Sequence, residues 1–214
     1  MATKIFLSPS SQTGNRYAYG DTNEAVQCCR IADACRIALE RCGFEVRCDK
    51  THTMEERVAE SNSWGADLHV AIHTNAYNGK VAGTRMFAYS KPSESWNCAL
   101  AVFDRLAPIT PGTSENLKTY PGLYELRLPK KLAIYCEVDF HDVPDVARWI
   151  IDHVSEIGEA ICRGICDYYK VTYKEPGTEP LYHVQVGAFR KKENADRFLA
   201  QVKNDYPEAF IVKY

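Results

Sequence analysis

The sequence predicts an α/β fold: a twisted, mostly parallel sheet flanked by helices, with a small C-terminal β-α-β segment behind a linker. Three observations carry that prediction. Short apolar runs alternate with amphipathic stretches of helical period across residues 4–169, the signature of a doubly wound sheet. Two of those runs, 68–75 (apolar from Leu68 to Ile72 but for His69) and 132–140, have the apolar stretches of strands covered on both faces. Residues 173–180 then carry Lys174, Glu175, Pro176, Gly177 and Pro180, a linker-like composition, and strand-helix-strand patterning resumes after it.

Taken in order, residues 4–7 read as the first strand and 8–20 as a polar loop. Helical periodicity runs from Asp21 to Cys42, and Gly43 is a natural stop. Residues 44–48 alternate as a second strand, and 55–64 read as a helix ended by Gly65. Residues 68–72 and 84–89 are the third and fourth strands. A helix over 92–106 places Trp96, Leu100 and Phe103 on one face. The stretch 107–129 holds Pro108, Pro111, Gly112, Pro121 and Gly122 and reads as a long irregular loop, of the kind that shapes binding sites. A fifth strand follows over 132–138, then one long amphipathic helix over 146–169, led in by Pro144 and Asp145. The predicted organisation is therefore a main domain over 1–172, a linker over 173–180 and a tail over 181–214. The tail reads as a strand at 183–189, a helix at 194–202 and an extended end at 209–214, too few residues to bury a core alone.

Composition narrows the function classes. At 214 residues and 45% apolar content, the chain can build a substantial core, which argues against global disorder. A net charge of -2 gives no polyanion-binding signal, so nucleic acid is not an expected partner. No apolar run approaches the ~20 residues of a membrane span. The first residues run straight into a strand without a signal-peptide pattern, so synthesis in the cytoplasm is expected. The nine cysteines include no paired CxxC motifs. Cys28, Cys35 and Cys42 recur at a helical spacing and read as small buried apolar groups in a reduced protein. No Cys/His motif supports a cysteine nucleophile.

Chemistry concentrates at two strand ends. In open α/β sheets, ligands bind beyond the carboxyl ends of the strands. One apolar strand delivers His73 there, and the other delivers Glu137. Zinc in hydrolases takes imidazole nitrogen and carboxylate oxygen and keeps a position open for water or substrate. His73 is the best ligand candidate; its plain alternative is a hydrogen-bonded strand-end histidine. His69, on the same face but deeper, reads as structural. Glu24 has two readings: the last member of a capping box begun by Asp21, or a carboxylate in the first helical turn aimed at the mouth of the sheet. Glu137, inside an apolar run, needs a partner. It is either a general base beside a metal or half of a buried ion pair with Arg57 or Arg127. Asn75 and Arg57 are the candidate substrate contacts, the alternative for Arg57 being a solvated or carboxylate-paired side chain.

In this order the residues resemble the zinc-dependent, type-3 N-acetylmuramoyl-L-alanine amidases. The matching features are the loop from Ser8 to Gln12, Glu24 opening the first helix, Ile72-His73-Thr74-Asn75, and Glu137-Val138-Asp139-Phe140. The resemblance spans about residues 4–169. It implies a peptidoglycan hydrolase that cuts the amide between the lactyl group of N-acetylmuramic acid and L-alanine. It implies that Glu24 and His73 bind zinc and that Glu137 is the catalytic acid/base. The family's first ligand is a histidine, and Ser11 stands at that position. Ser11 or Gln12 could supply an oxygen instead, another group such as His141 could move in, or the metal site could be lost. An oxygen-rich site would favour harder metals than zinc.

The tail resembles half of a sporulation-related (SPOR) peptidoglycan-binding repeat, through the run from Tyr182 to Phe189 and Ala195 to Phe198. A half-repeat could be completed by a homodimer or by packing on the main domain. The expected partner is peptidoglycan and the expected place of action is the cell wall. The chain would reach it as a lysin released through a membrane lesion or as an autolysin exported by another route. The rival reading is a non-catalytic wall-binding module derived from an amidase.

Overall fold

In this computed structural model the described residues are 2–177, 187–203 and 211. The chain divides into two compact units, residues 1–175 and 176–214. In the first, β1 (Lys4–Pro9), β2 (Glu45–Cys48), β3 (Leu68–Asn75), β4 (Arg85–Ala88), β5 (Asn116–Thr119) and β6 (Leu132–Phe140) form one sheet in the order β2-β1-β3-β6-β4-β5. The four strands β2, β1, β3 and β6 are parallel; β4 runs antiparallel to β6, and β5 runs parallel to β4. The predicted fold class holds.

Helices α1 (Glu24–Arg41), α2 (Met54–Trp64), α3 (Glu94–Leu106), α4 (Tyr124–Arg127), α5 (Pro144–Asp152) and α6 (Val154–Tyr169) flank that sheet. Side chains alternate between the faces of a strand. Leu7, Val70, Ile72, Ile134 and Cys136 join one apolar core with Ile31 and Cys35 of α1, Val102 of α3 and Ile161 of α6. Helix α6 reaches both of its neighbours through glycine. A Cβ on Gly164 would lie 2.4 Å from the Cα of Val102, and one on Gly158 would lie 2.7 Å from the Cβ of Ala34. The opposite face holds a small apolar cluster, Ala71, Leu126, Ala133 and Tyr135, among polar side chains.

Four local expectations are corrected. Helix α1 starts at Glu24, not Asp21, because Asn23 is the cap: its side-chain oxygen accepts from the Val26 amide at 3.0 Å. The stretch 107–129 is not an irregular loop. It contains β5, which adds to the free edge of β4, and the single turn α4, so tertiary pairing overrides a Pro/Gly-rich composition. The long helix over 146–169 is two helices, α5 and α6, divided at His153, whose ring stacks on Trp149 at 4.6 Å. Of the two readings of Glu24, the capping box begun by Asp21 does not form, and a capping box occurs at α2, between Thr53 and Glu56. In the second unit, α7 (Lys192–Val202) matches the predicted helix. Of the expected strands 183–189 and 209–214, only 187–189 and 211 are described residues, and these are not in strand.

Candidate active site

β1, β3 and β6 run parallel in the middle of the sheet, so their carboxyl ends share one rim. His73 on β3 lies opposite Glu137 on β6 in the strand register, and in-register residues of parallel strands point to the same face. α1 starts over that rim, its Glu24 amide donating to the Asn15 carbonyl at 2.9 Å. Because Asn23 satisfies the helix cap, the Glu24 side chain is free to turn inward, where it is 1% exposed.

The three residues that carry the sequence prediction therefore meet. Glu24 Oε1 and His73 Nδ1 are 2.8 Å apart, and Glu24 Oε2 accepts from the Asn15 side-chain amide at 2.6 Å. Burial would raise the Glu24 pKa, but the hydrogen bond and charge of His73 outweigh it and hold the carboxyl below its usual range. Burial alone would lower His73, but Glu125, Glu24 and Glu137 around it push its pKa up to about 9. Glu137 behaves in the opposite sense to Glu24: burial lifts it to about 7, only partly opposed by His73, and Glu24 adds to the rise. Its Oε2 is buried without a hydrogen-bond partner. Neither ion pair considered for it, with Arg57 or Arg127, forms among the described residues.

Sequence reasoning missed Glu125. It lies on α4, 1% exposed, and gathers a buried network. Its Oε1 accepts from the Ser8 hydroxyl and lies 3.1 Å from His69 Nε2, while its Oε2 is 3.7 Å from His73 Nε2, ion-pair range without a hydrogen bond. Burial raises its pKa, but His69 and His73 overcome that and depress the carboxyl strongly. The signal available in the sequence was a charged residue enclosed by Leu123 and Leu126, together with two histidines on one strand face and no assigned acid. His69 is 1% exposed and engaged with Glu125, deeper in β3 than His73.

The remaining candidates are placed as follows. Ser11 and Gln12 are exposed. Gln12 Oε1 accepts from Asn15 at 2.9 Å, through the same amide nitrogen that reaches Glu24. His141 is spent elsewhere: its Nδ1 is 2.9 Å from Thr74 Oγ1, which also accepts from Tyr17 at 3.0 Å. Asn75 ends β3 at the rim, its side chain accepting from the Ala76 amide at 2.8 Å. Arg57 corrects its plain reading, being neither solvated nor paired with a carboxylate among the described residues. It is 2% exposed and donates to the Pro9 carbonyl at the end of β1.

The donor chemistry fits a divalent cation. Glu24 Oε1 and His73 Nδ1, buried and 2.8 Å apart, are a carboxylate oxygen and an imidazole nitrogen, the donor types that zinc takes. Glu137, with an orphaned buried oxygen, stands beside them as an unligated acid. Among the described residues no third His, Cys, Asp or Glu donor closes on this pair.

Comparison with known proteins agrees with this architecture. The N-acetylmuramoyl-L-alanine amidase family profile matches residues 9–167, and a SPOR domain profile matches 167–214. The chain is 25% identical over 169 residues to the N-acetylmuramoyl-L-alanine amidase CwlM of Bacillus licheniformis, covering 77% of this chain and 64% of that protein. It is 25% identical over 205 residues to the sporulation-specific N-acetylmuramoyl-L-alanine amidase of Bacillus subtilis, covering 90% of this chain and 78% of that one. Among solved structures, the catalytic domain of CwlV from Bacillus (Paenibacillus) polymyxa var. colistinus superposes with a TM-score of 0.71 at 19% identity. The match covers 80% of this chain and all of that domain, a likeness of fold.

Proposed function

As the chain belongs to the N-acetylmuramoyl-L-alanine amidase family, we propose that it hydrolyses the amide between the lactyl group of N-acetylmuramic acid and L-alanine in peptidoglycan. The observation that carries the reading is the buried Glu24–His73 pair at 2.8 Å, with Glu137 opposite His73 on the neighbouring strand and one of its oxygens unpartnered.

Glu24 and His73 would hold the metal, zinc in most of the family. When bound, a divalent ion supplies Lewis acidity toward the amide carbonyl and acidifies a water. Glu137 takes the proton of the attacking water and delivers it to the leaving amine. A carboxylate with its pKa near 7 suits both transfers. Glu125 lies 3.7 Å from His73 Nε2, on the side of the ring away from Glu24, and its charge favours the orientation that turns Nδ1 toward Glu24. Between Ser11 and Gln12 as third ligand, Gln12 is preferred, because it already shares Asn15 with Glu24. Asn75 contacts substrate at the rim. Arg57 supports the Ser8–Gln12 stretch by holding the Pro9 carbonyl at the end of β1. The SPOR-like tail adds affinity for peptidoglycan, and pairing of two tails would give a homodimer. The place of action is the cell wall.

The test is metal analysis of the purified chain, followed by wall clearing and release of new amino termini with and without chelator. Chelator-sensitive release of L-alanine amino termini is expected. Wall binding with neither bound metal nor released termini would instead identify a non-catalytic binding module.

A further inference from the structure

Three of the free thiols lie apart from the active-site rim and close to one another. Cys42 caps the C-terminal end of α1, and Cys162 and Cys166 sit one turn apart on α6. All three are buried, and their sulfurs lie mutually within 4.8 Å. Cys162 Sγ is 3.8 Å from Cys42 Sγ and 3.9 Å from Cys166 Sγ. Three sulfurs each ~2.3 Å from one ion stand about 3.8 Å apart in a tetrahedral site and about 4.0 Å apart in a trigonal one. The surroundings add a second observation. The Lys174 amide donates to Cys42 Sγ at 3.4 Å, the kind of outer hydrogen bond that orients and stabilises a metal-bound thiolate. Lys174 is itself fixed, because its carbonyl accepts from Arg41 Nε at 2.9 Å, and Arg41 is anchored to Glu159 of α6 at 2.5 Å. The other fully buried cysteines, such as Cys98, belong to no such three-thiol group and fill the core as small apolar side chains.

We propose that Cys42, Cys162 and Cys166 form a thiolate site for a soft divalent cation, zinc in the reduced protein, that clips the end of α1 to α6 and to residues 171–174. Thiolate donors take soft cations, cadmium included, more readily than the nitrogen–oxygen pair Glu24–His73 does, so cadmium favours this site. Each ligating thiol gives up its proton on binding, so occupancy falls as pH falls. The site stands independently of the amidase reading.

Cadmium titration of the reduced, metal-free full-length chain tests it, because only sulfur ligation produces the ultraviolet sulfur-to-cadmium charge-transfer band. The band is expected to saturate at one equivalent, to be lost in Cys162→Ala and Cys42→Ala, and to persist in Cys98→Ala. Zinc is expected to raise the melting temperature of the wild type by more than that of Cys162→Ala, in which only the Glu24–His73 site remains. A wild type without the band, or a band kept by both site variants, overturns the proposal. So does a Cys42–Cys162 disulfide as the only reaction of the cluster. If circular dichroism shows the variants unfolded, zinc X-ray absorption of the wild type decides: sulfur neighbours around the metal support the site, and nitrogen and oxygen alone remove it.

Discussion

Along β3, Val70 and Ile72 join the apolar core under α1, α3 and α6, while His69 and His73 turn to the other face and meet Glu125 of α4. The same eight-residue strand thus serves two regions held by different physics. On the apolar face each buried aliphatic side chain contributes about 1.5–3 kcal/mol without regard to direction. On the polar face, burial costs energy at every carboxylate and imidazole, and the cost is offset only where donors and acceptors are matched. Glu24 and Glu125 are matched and depressed; Glu137 is not, and is raised to about 7. The unmatched group is the one proposed to exchange a proton.

The comparison breaks first at Glu137. Glu137→Gln is expected to lower amino-terminus release from peptidoglycan by on the order of 10²–10⁴-fold, the range of a general acid/base. Its thermal midpoint should equal or exceed that of the wild type, because the substitution removes a carboxylate with one buried, unpartnered oxygen. Full activity would remove Glu137 from the chemistry. A large loss of stability would make it a structural partner instead.

Glu125 tests the matched half of the polar face. Glu125→Ala strands His69 and the Ser8 hydroxyl in a buried site and removes the acid beside His73. A cost of about 3–5 kcal/mol is expected, as for breaking a buried ion pair from one side. Urea denaturation measures it. A cost under about 1 kcal/mol would mean that the network contributes only local hydrogen bonds.

The apolar face is probed at Gly164. Gly164→Ala puts a methyl group 2.4 Å from the Cα of Val102, a backbone atom that cannot swing aside. Helix propensity favours alanine by ~1 kcal/mol, yet overpacking is expected to win with a net loss of about 1–3 kcal/mol. An unchanged or raised melting temperature would show that α6 and α3 can separate freely.

These two faces were not equally legible in the sequence. Runs 68–75 and 132–140 were readable because two-sided burial leaves few polar interruptions, and two of the interruptions, His73 and Glu137, were themselves the chemical signal. Glu24 was ambiguous because Asp21 and Asn23 can both cap a helix. Here the Arg16–Asn23 bridge brings Asn23 to the helix start, and that pairing is not visible locally. Glu125 was hidden because α4 is a single turn of four residues, too short for periodicity, and Leu126 packs it against the Tyr135 face of the sheet. β5 was hidden likewise, since its strand character comes from pairing with β4. The break at His153 lies within a continuous amphipathic pattern and leaves no compositional mark.

A smaller effect sharpens what matching means for a carboxylate. Asp49 follows β2 and lies outside both faces. It accepts from the Thr51 amide at 2.9 Å, the His52 amide at 3.2 Å and the Thr51 hydroxyl at 3.2 Å, and it pairs with His52 Nδ1 at 2.7 Å. Burial would raise its pKa, but those donors prevail and bring it from 3.8 to about 2. A depressed pKa means that the folded state holds the proton less tightly than the unfolded chain. Its contribution is therefore complete above pH 3.8 and is lost as pH falls toward 2. With solvent screening the amount is about 1 kcal/mol. Urea midpoints of the wild type and Asp49→Asn across that acid window should converge as pH falls. A gap that stays constant with pH would mean that the turn is held by shape and hydrogen bonds alone, with no benefit from the charge.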